Sequence, residues 1–389
     1  MHNVFLALNS GSSSLKAAAF EFDPGSKDAE ALQDVVPIWI ASESVDLLTA
    51  SEEQCQSILA KLVLDFEHKC GIARSDIKLI AHRVVHGGDK LRKPVRVSAE
   101  IESQIESLCE LAPIHNPIAL KVIRCSAVLF GGTPSFAVFD TAFHSTLPEL
   151  SYVYPVPYNW YEELGIRRFG FHGINHKYCS ERAASILQNR DGNLKMIICH
   201  LGNGCSISAV GNGISIDTSM GFTPLEGLMM GSRSGSIDPG IIFYLIKQKN
   251  MNPEQIEKHL NGKSGLFGVS GISKDMREIE KAAKAGSSRA KLAFDLFVLR
   301  AAKEIAAMCV SLDGIDVLVF TAGIGEHSAS VRSAICQRLK FIGVEIDSRL
   351  NSSDTTDDVI SAPESAVKIM RIAANEEKAM LQEVLRAAL

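Results

Sequence analysis

The chain has 389 residues, 46% hydrophobic and 22% charged, with a formal net charge of −5. That length exceeds one ordinary core and predicts two domains, while the composition is that of a water-soluble globular protein. No apolar run reaches the roughly eighteen residues that a membrane helix needs, and the acidic balance offers no basic footprint, so neither a membrane nor a nucleic-acid partner is expected. The Met1 end lacks a basic segment followed by a long apolar stretch, so no secretion signal is read there. Nine cysteines without a C-x-x-C pair, set mostly in apolar stretches such as MIICHLG and AAMCVSL, read as reduced, buried thiols in a cytoplasmic protein.

In chain order, Val4 to Leu8 reads as a buried strand, SGSSS as a turn and Leu15 to Phe22 as a second strand, so the chain opens on a β-hairpin. LNSGSSSLK is not a P-loop, because its spacing differs and a strand follows it; Asn9, Ser12, Ser14 and Lys16 can nonetheless approach a phosphate chain. Helical periodicity runs through Ser51 to Cys70, Ser98 to Leu111, Asn116 to Val128, His176 to Gln188, Pro239 to Lys247, Ser287 to Leu312 and Glu376 to Leu389. AHRVVHGGD places Arg83 in a β-branched strand ending in Gly-Gly, where alternation would set Val85 on the same side, although a surface ion pair is the plainer role for one arginine. LAPIHNPIAL sets His115 just ahead of a helix start, a position for capping or packing. VFDTAFHSTLP puts Asp140 at the end of an apolar strand, as a Mg2+ ligand or as the cap of the next turn.

The proline-rich PELSYVYPVPYNWY reads as a connection between halves. In RRFGFHGINH, His172 and His176 stand four apart, but without the Glu of H-E-x-x-H a zinc pair is not expected. The strand, Gly-polar turn, strand grammar of the opening returns at Met196 to His200, GNG and Cys205 to Val210, a hint of two domains built on one plan. From His200 to Gly240 the chain packs nine of its 29 glycines around a single Lys/Arg side chain, Arg233. Backbone N–H groups in such turns approach anions closely, so the run is read as an anion site, with ligand-free hairpin turns as the alternative. VLVFTAGIGEHS then gives a strand followed by Gly323, Gly325 and Glu326 ahead of a helix starting near Ser328, suited to a nucleotide lying on the backbone. Strands alternating with helices throughout make the fold class α/β.

The ordered motifs LNSGSSSLK, HRVVHGG, LAPIHNP, FDTAFHSTLP, FGFHGINH, HLGNGCSI, DTSMGFTPLEGLMMGSRSG, SGISKDMRE, FTAGIGE and NEE resemble the acetate kinase family, from Asn9 to Glu377. The resemblance implies two actin-like ATPase domains, each a mixed sheet flanked by helices, with the active site in the cleft between them. Residues 1–150 plus 375–389 would form the first domain. Residues 151–374 would form the second, with the nucleotide site and a homodimer interface. It implies reversible transfer of the γ-phosphoryl group of ATP to acetate, giving acetyl phosphate and ADP, with Mg2+ or alternatively Mn2+. A carboxylate is already ionised at neutral pH and needs no general base, so positioning and positive charge carry such a reaction.

Carried over by motif, Arg83 and Arg233 hold the carboxylate and the transferring phosphoryl group. His172 stabilises that group, His115 lies nearby and Asp140 stands beside the reacting atoms. Asn9 and Glu376 belong to the metal site, while Val85, Ile114, Phe171 and Pro224 wall the acyl methyl group. His200, Leu201, Gly202, Asn203 and Gly204 lie at the phosphates, and Asp275, Met276 and Arg277 with Gly323, Ile324 and Gly325 form the adenosine pocket. Met276, Ser236, His327 and the AANEE ending depart from the pattern usual in the family. A propionate or butyrate kinase shares the chemistry. An ATP-binding switch of the actin or Hsp70 type is the alternative of another class, and it would not need two arginines and two histidines in carboxylate-site motifs.

Overall fold

The computed structural model describes residues 2–11, 14–24, 35–189 and 192–388. It divides into two units, Met1–Ser145 with Gly173–Tyr178 and Asn375–Leu389, and Thr146–His172 with Cys179–Ala374. Each is built on one six-stranded mixed sheet. The first unit holds β1 (Val4–Ser10), β2 (Ser14–Glu21), β3 (Trp39–Ser44), β4 (Ile77–Val84), β5 (Val95–Arg96) and β6 (Ser135–Phe139), in the order β3-β2-β1-β4-β6-β5. In the second lie β7 (Lys195–Leu201), β8 (Cys205–Gly211), β9 (Ile214–Thr218), β10 (Val317–Thr321), β11 (Asp358–Val359) and β12 (Lys368–Arg371), in the order β11-β12-β10-β7-β8-β9. Read from the other edge, the second order repeats the first. In each sheet an antiparallel meander feeds parallel strands, β1 beside β4 beside β6 and β7 beside β10 beside β12, and a short antiparallel strand closes the edge. The hairpin grammar met twice in the sequence is the start of each repeat.

Parallel strands buried on both faces must be apolar along their length, and β1, β7 and β10 are. Every residue of β1 and β10 is buried, as are Met196 to Leu201 of β7. One apolar cluster gathers Leu6, Leu8, Leu59, Phe66, Ile80 and Val122, and a second gathers Val84, Ile105, Leu120, Ile123 and Phe139. Helix Glu52–Cys70 begins on a capping box between Ser51 and Gln54 and stops at Gly71, whose φ of 66° is the left-handed turn that favours glycine. Helix Glu376–Ala388 returns from the far end of the chain to pack over β1, β4 and β6, burying Met380, Leu381, Val384 and Leu385. The proline-rich stretch, expected as a connection between halves, lies within the second unit and carries two short helices, Glu149–Tyr152 and Asn159–Leu164. All nine cysteines are free thiols. Among the described residues no helix is long and apolar enough to cross a membrane.

Two buried histidines, His82 and His86, are expected to make the first unit acid-sensitive. His82 accepts or donates one hydrogen bond at 3.1 Å to Ser126, and its Nδ1 has no partner among the described residues. Burial depresses the His82 imidazole to about 3 and that of His86 to about 4, from an ordinary 6.5. Above about pH 6.5 both are neutral folded or unfolded; below it the unfolded chain takes up protons that the folded chain refuses. Stability is therefore expected to fall as pH drops from about 6.5 towards 4, by up to about 1.4 kcal/mol per pH unit for each histidine. His82→Gln should make the decline shallower in urea titrations between pH 7 and 4, and an unchanged slope would contradict this account.

Candidate active site

In the first unit the carboxyl ends of β1, β4 and β6 deliver Asn9, Arg83 and Asp140 to one edge of the sheet. Arg83 Nε donates to both oxygens of Asp140 at 3.1 Å, Nη2 donates to Oδ2 at 2.5 Å, and Nη1 donates to Asn9 Oδ1 at 3.1 Å. Asn9 Nδ2 in turn donates to Glu376 at 2.8 Å and Glu377 at 3.1 Å, at the start of the returning helix. Burial alone would lower the Arg83 pKa, but the charges of Asp140 and Glu376 outweigh it and hold the guanidinium charged. Burial also pushes the Asp140 carboxyl up, against the pull of Arg83; with N–H donors on both its oxygens, the carboxylate is the form the geometry fits. Three of the five N–H groups of Arg83 are thereby committed, which among the described residues leaves one on each Nη for an outside carboxylate.

The loop after β4 is tied down by neighbours of these residues. Strand β4 ends at Val84, so Val85 stands beyond it, and the alternation expected of Arg83 and Val85 does not apply. Asn116, wholly buried at the head of helix Asn116–Phe130, accepts from the His86 N–H at 3.1 Å and donates to the His86 carbonyl at 3.0 Å. Thr141 accepts from the Gly87 N–H at 3.0 Å. Val85 is thus held in place relative to Ile114 and His115. His115 makes no side-chain cap to this helix, contrary to one of its expected roles.

In the second unit β7 and β8 flank the turn Gly202 to Gly204. His172 lies with its ring stacked on that of His200, centroids 4.0 Å apart and 13° from parallel, and its Nδ1 is 2.9 Å from Ser206 Oγ. A Cβ added to Gly204 would stand 3.3 Å from the His172 ring and 3.6 Å from Arg233 Nη1. Glycine at 204 thus leaves the backbone open between an imidazole and a guanidinium. Arg233 Nη1 also donates to the Pro224 carbonyl at 3.2 Å. Next to the turn, Cys205 Sγ donates to the Gly202 carbonyl at 3.2 Å, and burial pushes the thiol up to about 12.

A cavity of about 470 Å³ opens on the same turn. Its walls include Gly202 and Asn203, Asp275 to Arg277, and Gly323 and Ile324. Asp275 caps helix Met276–Lys284 and pairs with Arg277 at 2.5 Å, while Met276 is buried. A model of the family described as Acetokinase family matches residues 4–382. The chain belongs to the acetokinase family. It is 44% identical over 398 residues to an acetate kinase of Nostoc punctiforme, covering 97% of each chain. It is similar in structure to an acetate kinase of Porphyromonas gingivalis (TM-score 0.87, 35% identity, 100% of each chain). A propionate kinase of Francisella tularensis is similar too (TM-score 0.86, 38% identity, 98% of each chain).

Within this family member the expected residues do not all fall where the motifs suggested. Ser12 lies outside the described residues, Ser14 begins β2, and Lys16 is exposed opposite Asn9 in the hairpin register. Gly325, expected in the adenosine pocket, is buried and is not a cavity wall; of His200 to Gly204, expected at the phosphates, Gly202 and Asn203 line the cavity, His200 stacks on His172 and Leu201 is buried. Gly323 and Gly325 are not a turn ahead of a helix but sit inside a short helix, Ala322–His327, and the left-handed residue is Ala322, with φ 65°. Lys274, Glu280, His327 and Ser328 also line the cavity. They follow from the helices at 276 and 322, which sequence periodicity alone did not show. Phe171 is buried and Pro224 half-buried, both in the second unit, whereas Val85 and Ile114 belong to the first. Asp140 proves to be the partner of Arg83. His172 and His176 face different rings, His200 and His144, and among the described residues no three His, Cys, Asp or Glu side chains are placed to hold a metal.

A Cβ on Gly323 meets nothing within 4 Å, and its backbone does not need glycine. Gly323→Leu should therefore leave the melting temperature unchanged or higher while weakening nucleotide binding by about tenfold or more, as the side chain fills the cavity. Calorimetric titration with ATP checks it, and parental affinity would show that the cavity is not the nucleotide's.

Proposed function

We propose that this chain is an acetate kinase, and that the residues above carry out transfer of the γ-phosphoryl group of ATP to acetate. The observation that carries the reading is the Gly202 to Gly204 turn, with a nucleotide-sized cavity opening on it and the His172 imidazole and Arg233 guanidinium beside Gly204. A nucleotide base and sugar in the cavity would run their phosphates along the turn towards those two donors. An acetate oxygen attacks the γ-phosphorus as the bond to the β-γ bridging oxygen breaks, so no proton has to move. Arg233 and His172 then meet the charge on the equatorial oxygens. Ser206 donating to His172 Nδ1 would make Nε2 the donor nitrogen. The two N–H groups left on Arg83 suit a carboxylate such as acetate, and Val85 and Ile114 of the same unit suit its methyl group.

For Mg2+, Asn9 and Glu376 with Glu377 are the residues that would hold it: the two glutamate carboxylates, with Asp140, exceed the single charge of Arg83, and the Asn9 amide joins them. Mg2+ generally takes one or two carboxylates together with substrate phosphates, which fits the two glutamates that meet the Asn9 amide. Bound there, it would neutralise phosphate charge. A homodimer is supported by helix Gly240–Lys249, which buries no residue and leaves Ile241, Phe243 and Tyr244 about half exposed.

Acetate, ATP and Mg2+ with hydroxylamine should yield acetohydroxamate; folded protein that makes none refutes the kinase. kcat/KM should be highest for acetate, and propionate or butyrate ahead by about tenfold would reassign the acyl pocket. Arg233→Ala should lose far more kcat than ATP affinity, and comparable losses would reduce Arg233 to a ground-state contact.

A further inference from the structure

The loop that carries Pro224 is held from one point. Arg168, only 17% exposed, spreads its guanidinium across five acceptors of the second unit. Nε donates to the Ser151 carbonyl at 3.2 Å, Nη1 lies 3.0, 3.2 and 3.1 Å from the carbonyls of Thr218, Ser219 and Met220, and Nη2 donates to Glu226 Oε1 at 2.9 Å. Three successive carbonyls on one nitrogen require the chain to curl around it. The other Glu226 oxygen accepts the Tyr154 phenol, whose oxygen accepts the Phe222 N–H at 2.9 Å. Two glycines make room for this arrangement. At Gly221 a Cβ would overlap the Glu226 carboxylate and the Tyr154 hydroxyl, and at Gly227, with φ 100°, it would lie 2.6 Å from the Ser219 carbonyl.

The same loop reaches the proposed reaction centre. Pro224, two residues before Glu226, gives its carbonyl to Arg233. Ser236 and Gly227 exchange hydrogen bonds in both directions, at 2.9 and 3.0 Å, and so close the segment that contains Arg233. We infer that Arg168 is a positioning residue for phosphoryl transfer: it fixes the loop Thr218 to Gly227, and through that loop the Pro224 wall and the Arg233 guanidinium. This rests on the kinase reading for its effect on turnover, but its effect on the loop stands apart from it. A lysine keeps the charge and loses the fork, so Lys cannot bind these acceptors together.

The test is Arg168→Lys in the full chain, with hydrogen exchange of residues 218–227, nucleotide affinity and steady-state kinetics. Exchange across the loop should rise, ATP affinity should stay within about twofold, and kcat/KM for acetate should fall by about tenfold or more, mostly in kcat, since small misplacements of reacting groups cost that much. The propionate to acetate ratio should rise as the Pro224 wall loosens. Unchanged exchange, or acetate kinetics within about twofold of the parent, overturns the inference, and an equal loss of ATP affinity and kcat reduces Arg168 to general stability. Tyr154→Phe removes only the phenol bridge and carries the same test should Arg168→Lys not fold; it should raise exchange at Phe222 and lower kcat a fewfold, and parental values for both overturn the inference. A parent protein with no acetate-dependent turnover refutes the kinase reading instead, and loop exchange still decides the role of Arg168.

Discussion

Parallel strands run out of sheet at the same edge, and the frame of each unit's candidate site follows from that constraint. Side chains just past the last ladder bond lose their neighbours on one side, so polar groups can stand there without breaking the apolar interior. In the first unit the edge receives Asn9, Arg83 and Asp140 from three adjacent strands, and in the second it receives the Gly202 turn and the helix at Ala322 from two. The same plan serves opposite ends. One edge is crowded with charged side chains, and the other is cleared down to backbone.

The charged edge is frugal with its cation. Arg83 faces Asp140, Glu376 and Glu377 through direct bonds, an ion-pair distance or the Asn9 amide. Removing one partner of a buried pair typically costs about 3–5 kcal/mol, because the other charge is left uncompensated. The frame therefore selects a rigid orientation for Arg83, and rigidity rather than spare charge is what a bidentate carboxylate contact requires.

Much of this was legible before any coordinates. Apolar runs ending in Gly or polar residues mark strand ends, so Asn9, Arg83, Asp140 and His200 could be placed at edges from local pattern alone. The nine-glycine run marked close backbone approach at Gly204, where a side chain would crowd His172 and Arg233. Long-range pairing was not legible. Nothing local in DTSMG says that three of its carbonyls converge on Arg168, some fifty positions earlier in the chain. Nor does the AGIGE sequence reveal that alanine rather than glycine takes the left-handed conformation, because that choice depends on how helix Ala322–His327 joins β10. Asn116 likewise reads as a helix opener until its amide is found bridging both polar groups of His86.

Cys205 adds a chemical consequence to a structural one. Its thiol sits one residue beyond the turn over which phosphates would pass, where a thiolate would be a target for oxidants and electrophiles. Full burial and a proton held up to about 12 keep it in the unreactive form, spent on the Gly202 carbonyl. The turn is thereby shielded from covalent damage, with redox durability arising from the same packing that shapes it.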